Sequence, residues 1–179
     1  MEGSNIGLIL KAAQFAADKH RNQRRKDAEA SPYINHPIAL ANVLANEGEV
    51  TDPIVLCAAL MHDTIEDTDT TAEELTATFG TEITGVVLEV TDDKTLPKAE
   101  RKQQQIEHAR HASSRAKLVK LADKICNLRD IAVTSPADWT EQRKAEYFDW
   151  ARKVIDGVRG THPRLEAIFD AVYGMKSST

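Results

Sequence analysis

Apolar residues along the chain recur mainly at spacings of three and four, and almost never in the strict alternation that marks half-buried strands. The pattern therefore predicts helix after helix. From Asn5 to Arg21, the residues Ile6, Leu10, Ala13 and Ala17 make a stripe expected to face the core. The segment from Ala28 to Pro37 carries prolines at 32 and 37 and reads as a loop; Pro37 then opens a helix to about Asn46, stopped by Glu47-Gly48. Asp52-Pro53 is a start signal, a capping carboxylate followed by a residue whose missing N–H is not needed in the first turn. The helix it opens, Ile54 to about His62, is apolar nearly all round and is expected to be buried at the centre. Thr71-Ala72-Glu73-Glu74 has capping-box spacing ahead of a short helix ending at Phe79-Gly80. Further helices are expected over about 82–90, 97–108, 114–133, 140–158 and 163–173, with a frayed tail from Met175 to Thr179. No repeat, low-complexity linker or composition break divides the chain. The expectation is one all-α domain over residues 1–179, a bundle of about eight to ten helices.

Composition narrows function more than fold. With 41% apolar and 28% charged residues the chain suits a soluble globular protein. No apolar stretch approaches the roughly 20 residues that cross a bilayer, and the first residues lack the basic and apolar regions of a signal peptide. A cytoplasmic protein without a membrane partner is expected. Cys57 and Cys126 lie inside apolar helical patterns, as buried free thiols do in a reducing compartment. The net charge of −5 speaks against nucleic acid as a partner, and no feature sets an oligomeric state. Against this acidic background, Arg21-Asn22-Gln23-Arg24-Arg25-Lys26 packs four cations into six positions. It is either a solvated face or a wall for a compact anion such as a polyphosphate.

The chemistry concentrates in Met61-His62-Asp63-Thr64-Ile65-Glu66-Asp67, directly after the helix expected to be buried. Ionisable groups leaving a core need partners or a cation. Adjacent His62 and Asp63 converge on one ion only where a helix bends or ends, or where their side chains reach round. If the helix continues, Glu66 lies one turn beyond His62 and Asp67 one turn beyond Asp63, placed to orient or deprotonate a water. The plainer reading is a solvated acidic helix end. His36, held between Pro32 and Pro37, is a further ligand or simply a capping histidine. Around Asp123, the residues Leu118, Leu121, Ala122, Ile125 and Leu128 form a core stripe, while Lys120, Asp123, Lys124 and Asn127 share another face. That face is either a surface row of salt bridges or one where Asp123 completes a metal sphere and Lys120 and Asn127 meet substrate. Two histidines and two carboxylates without a thiolate suit Mn2+, Zn2+ or Fe2+, and the oxygen share favours Mn2+.

A histidine, then His-Asp, then a later Asp, all on helices, resembles the HD-domain phosphohydrolases. The strings Arg24-Arg25-Lys26-Asp27, Pro32-Tyr33-Ile34-Asn35-His36-Pro37, Leu60 to Thr68, Val90-Thr91-Asp92-Asp93-Lys94 and Lys120 to Arg129 are similar to the hydrolase domain of the RelA/SpoT family over about Ile6 to Tyr173. The small stand-alone alarmone hydrolases resemble the chain most. The resemblance implies Mn2+-dependent hydrolysis of the 3′-diphosphate of guanosine tetra- and pentaphosphate, the alarmones of the stringent response, to GDP or GTP plus pyrophosphate. It implies His36, His62, Asp63 and Asp123 as metal ligands and Glu66 and Asp67 as the residues that position and activate water. Arg25 and Lys26 resemble its basic substrate contacts, Asn127 its ribose-side contact, and Lys98, Arg143 and Tyr147 its nucleotide contacts. Arg24, Arg25, Lys26, Lys94, Lys98, Lys120 and Arg143 could together supply a basic wall. Alternatives are a phosphatase acting on the 2′-phosphate of NADPH at the same site, a non-catalytic nucleotide sensor, and a partner-binding helical bundle.

Overall fold

Side-chain caps set many of the helix starts. Asp52 accepts from the Ile54 N–H at 2.9 Å and Thr71 from the Glu74 N–H at 3.1 Å; Ser113 and Thr140 cap the next long helices in the same way. The structure, a computed structural model, describes residues 2–27, 29–136 and 138–176. These form α1 (Glu2–Lys19), α2 (Asn35–Asn42), a π-helical turn (Val43–Glu47), α3 (Pro53–Met61), α4 (Thr64–Asp67), α5 (Ala72–Phe79), α6 (Thr81–Val90), α7 (Lys98–Ala109), α8 (Ser114–Thr134), α9 (Glu141–Asp156) and α10 (Pro163–Tyr173). Among the described residues the β-structure is a single bridge between Arg24 and Pro32. None of the described helices is long and apolar enough to cross a membrane.

The apolar helix is the hub. Every residue of α3 from Val55 to Met61 is buried, and α1, α2, α6 and α8 pack around it. No polar face was available to α3, so it buries every side. α9 joins α7 to α8, and α10 closes the far side against α8 and the π turn.

Three expectations change. The stripe expected on α1 is not the buried one: Ile6 and Leu10 are exposed, while Ala12, Ala16 and His20 are buried. Small side chains let α1 lie close to α3, and that close approach outweighs burial of two larger residues. The second helix begins at Asn35, ahead of Pro37, and ends as a π turn in which the Gly48 N–H donates to Val43 O at 2.8 Å. A Cβ at Gly48 would lie 2.9 Å from both Leu165 Cδ2 and Leu44 O, so α10 docks on a position only glycine fits. At the C-terminus Met175 and Lys176 continue in a turn, with Lys176 paired to Asp149 at 2.7 Å; the remainder of the expected frayed tail, 177–179, lies outside the described residues.

Candidate metal and phosphate site

The site forms where α3 stops. Asp63 adopts φ −101° and ψ 0°, which ends the helix, and Thr64 Oγ1 donates to the Met61 carbonyl freed there. The break settles how neighbouring residues converge: His62 Nε2 lies 2.8 Å from Asp63 Oδ2. The helix does not run on; Glu66 and Asp67 belong to the separate short turn α4. His36, at the start of α2, and Asp123, in the middle of α8, complete the group. His36 Nε2 is 3.3 Å and His62 Nε2 3.9 Å from Asp123 Oδ1. Ligand atoms of His36, His62 and Asp123 all lie within 4.8 Å of one another.

The donor chemistry fits a cation. The 2.9 Å contact of His62 Nδ1 with the Ala59 carbonyl requires the proton on Nδ1, so Nε2, facing two carboxylates, carries either a second proton or a metal ion. Facing lone pairs repel unless a proton or metal ion lies among them. Burial penalises a charged imidazole here, but Asp63 and Asp123 outweigh it and raise the His62 pKa to about 9. Burial would also raise both carboxyls; His62 holds Asp63 well below its usual range, and Lys124 does the same for Asp123.

Surrounding groups hold these side chains in place. Lys124 donates to Asp123 Oδ2 at 3.0 Å and lies over the Trp150 ring, and Asn127 donates to Asp123 Oδ1 at 2.7 Å. The Tyr33 hydroxyl donates to Asp63 Oδ2. Buried His20 packs at a tilt against Tyr33 and meets Gln23 Oε1 at 2.6 Å, while Gln23 Nε2 donates to Asp67 Oδ2 at 3.0 Å. Lys94 pairs with Asp67 Oδ1. Glu66 accepts from the Asp92 N–H at 3.1 Å, yet its burial, with Asp92, Asp63 and Asp67 nearby, pushes its pKa up to about 7. Tyr33, Gln23 and His20 gave no signal as site residues, because their roles arise only when the loop before α2 folds onto α4.

Two chambers meet here. An inner pocket of about 210 Å³ holds His36, His62, Asp63, Glu66, Asp67 and Asp123. It opens into an outer cleft of about 620 Å³ that contains Arg24, Arg25, Lys26, Asn127, Trp139 and Tyr147. Arg25, Asn127 and Tyr147 line both. Lys98 and Arg143 line instead a neighbouring recess of about 470 Å³, which shares Trp139 and Tyr147 with the cleft. The anticipated basic residues are thus spread out: Arg24 to Lys26 at the cleft, Lys98 and Arg143 in the recess, Lys120 in the inner pocket, and Lys94 lining none of these but paired with Asp67. Arg25 already pairs with Asp130 at 2.5 Å. The Lys120 face of α8 is no surface row, since Lys120 and Lys124 are both buried. Cys57 and Cys126 are free and buried; burial pushes their thiols up to about 11 and about 12, so neither serves as a thiolate nucleophile near neutral pH.

Residues 12–149 match the HD domain family. The chain is 57% identical to the Xenopus tropicalis guanosine-3′,5′-bis(diphosphate) 3′-pyrophosphohydrolase MESH1 across 95% of each chain. It is 53% identical to the Homo sapiens MESH1 of the same description across 99% of each. It also superposes with a TM-score of 0.92, at 49% identity, on a solved structure described as a metazoan ortholog of SpoT that hydrolyses ppGpp and plays a role in starvation responses. That match covers 95% of this chain and 96% of the other.

Proposed function

Because the chain belongs to the HD-domain family, among its MESH1-type stand-alone members, we propose that it is a guanosine-3′,5′-bis(diphosphate) 3′-pyrophosphohydrolase acting on guanosine tetra- and pentaphosphate. The observation that carries the reading is one pocket in which His and Asp ligand atoms close enough to share a cation sit beside a carboxyl with a pKa of about 7, beneath a cleft of about 620 Å³.

His36, His62, Asp63 and Asp123 would hold a divalent ion, with Mn2+ favoured by the donor set and Zn2+ or Fe2+ as alternatives. When bound, such an ion lowers the pKa of water and draws charge from the phosphoryl group under attack. Glu66 takes the proton of the attacking water, a task suited to a carboxyl near neutrality. Asp67, fixed by Gln23 and Lys94, orients that water. The water oxygen bonds to the phosphorus attached to the ribose 3′-oxygen; the P–O bond on the ribose side breaks, and that oxygen leaves with a proton. GDP or GTP and pyrophosphate result. Arg25, Lys26 and Asn127 receive the nucleotide in the outer cleft, Tyr147 packs between cleft and recess, and Lys98 and Arg143 take its further phosphates. Residues 1–179 act as one domain, and buried free thiols suit a reducing cytoplasm.

The deciding experiment separates products of guanosine tetraphosphate on the Mn2+-loaded protein, with NADPH as a parallel substrate. Pyrophosphate in step with GDP is expected. Release of single phosphates, or faster cleavage of NADPH at equal concentration, would overturn the assignment.

A further inference from the structure

The inner pocket has a mouth and a back. Its mouth consists of residues shared with the outer cleft, among them Arg25, His36 and Asn127. Its back consists of Asp92, Gln105 and Lys120, which also line a third cavity of about 410 Å³ behind it. The inner chamber, about a third the volume of the cleft, is too small for a nucleoside, so the ribose must stay at the mouth. A diphosphate on the 3′-oxygen then runs inward, and its terminal phosphate reaches the back wall.

Lys120 waits there with an unusual deficit. It is only 8% exposed and lines the pocket, and among the described residues its ammonium forms no ion pair or hydrogen bond. The carboxylates near it are engaged elsewhere. Asp123 is held by Lys124 and Asn127, Asp92 accepts from Gln105 Nε2 at 2.6 Å, and Glu66 accepts from the Asp92 N–H. Burial and the Lys124 charge one turn along both work against the Lys120 ammonium, a cost that an arriving anion offsets. A buried lysine without an ion pair at the back of this pocket is placed to meet an anion that enters from the mouth.

We infer that Lys120 binds the terminal phosphate of the 3′-diphosphate, and so distinguishes a diphosphate ester from a monophosphate ester at the same ribose position. The inference rests on the pyrophosphohydrolase reading and deepens it. Lys120 has no part in holding the metal or activating water; it grips the end of the substrate farthest from the nucleoside.

The test compares two nucleotides that differ only in that phosphate, on Mn2+-loaded wild type, Lys120→Met and Lys120→Arg. Guanosine tetraphosphate is the substrate; guanosine 5′-diphosphate 3′-monophosphate is the competitive inhibitor. In Lys120→Met, kcat/KM for the tetraphosphate should fall about ten- to hundred-fold, the worth of one charge-assisted contact, while the inhibitor constant moves less than about two-fold. Lys120→Arg should recover most of the loss. Equal weakening of both nucleotides would make Lys120 a mere compensator of the acidic cluster and overturn the inference, as would no loss on either. Melting curves establish that each variant folds. Should wild type not cleave the tetraphosphate, the pyrophosphohydrolase reading fails by itself. Calorimetric binding of the two nucleotides then still decides Lys120, through selective or equal weakening.

Discussion

Replacing Glu66 by glutamine should stop the reaction and at the same time make the metal-free protein more stable. The folded protein raises this carboxyl from 4.5 to about 7, chiefly through burial. A folded pKa above the unfolded one means that the folded state holds the proton more tightly. The ionised carboxylate therefore costs nothing below about pH 4.5; its penalty grows as pH rises through the interval and is complete above pH 7. Taken at face value the shift amounts to roughly 3 kcal/mol, and because Glu66 is partly exposed to solvent, screening leaves about 1–2 kcal/mol. Glutamine keeps the shape and can still accept the Asp92 N–H, but never ionises. In EDTA, the variant should match wild type near pH 4.5 and melt a few degrees higher at pH 8, at about 2–4 °C per kcal/mol for a chain of this size. Loading Mn2+ should shrink the gap, since a cation beside the carboxylate offsets its penalty. Turnover of guanosine tetraphosphate should fall by about 10²–10⁴-fold, the usual worth of a general base. A variant no more stable than wild type at pH 8, or equally stabilised at both pH values, would refute burial as the source of the shift.

Other outcomes follow from distances in the site. Gln23→Leu removes the hydrogen bonds to Asp67 and His20 while Arg25, Lys26 and Asn127 still line the outer cleft; kcat should drop about five- to ten-fold with a smaller change in KM, as read from steady-state kinetics. Asp123→Asn leaves His36 and His62 with a weaker donor, so Mn2+ should raise the melting temperature of wild type but not of the variant. Gly48→Ala places a methyl 2.9 Å from Leu165 and Leu44 O; urea unfolding should show a loss of about 1–3 kcal/mol, with activity at low temperature unchanged.

Helix boundaries were legible wherever a short polar side chain caps a start. Asp52, Thr71, Ser113 and Thr140 each accept the N–H that such a position offers. Less legible was which face of α1 would be buried. Ile6 and Leu10 outweigh Ala12 and Ala16 in hydrophobicity, but the two alanines allow the close packing on α3. That His36, His62, Asp63 and Asp123 meet at one place was legible, because histidines and aspartates in that order along the chain are distinctive. The groups that hold them were not. Nothing local marks Tyr33 as a donor to Asp63 or Gln23 as a donor to Asp67, because both contacts depend on a chain segment folding back from a distance. Lys120 and Lys124 misled in another way: lysine usually means surface, and here α8 turns both inward.

The loop between α1 and α2 is closed on itself. The Arg25 N–H donates to Ser31 O, the Tyr33 N–H to Gln23 O, and Asp27 accepts from the backbone N–H and hydroxyl of Ser31. It brings Arg24, Arg25 and Lys26 to the cleft, and among the described residues its side-chain hydrogen bonds to the acidic groups of the inner pocket come from Tyr33 and Gln23. That makes it a separable cassette. Grafting a different loop of equal span, with those two residues kept, should change the contacts that Arg24, Arg25 and Lys26 offer in the cleft while the residues on α3, α4 and α8 stay as they are. Diversification of substrate range in such a chain can proceed through one short stretch of sequence, without disturbing the chemistry behind it.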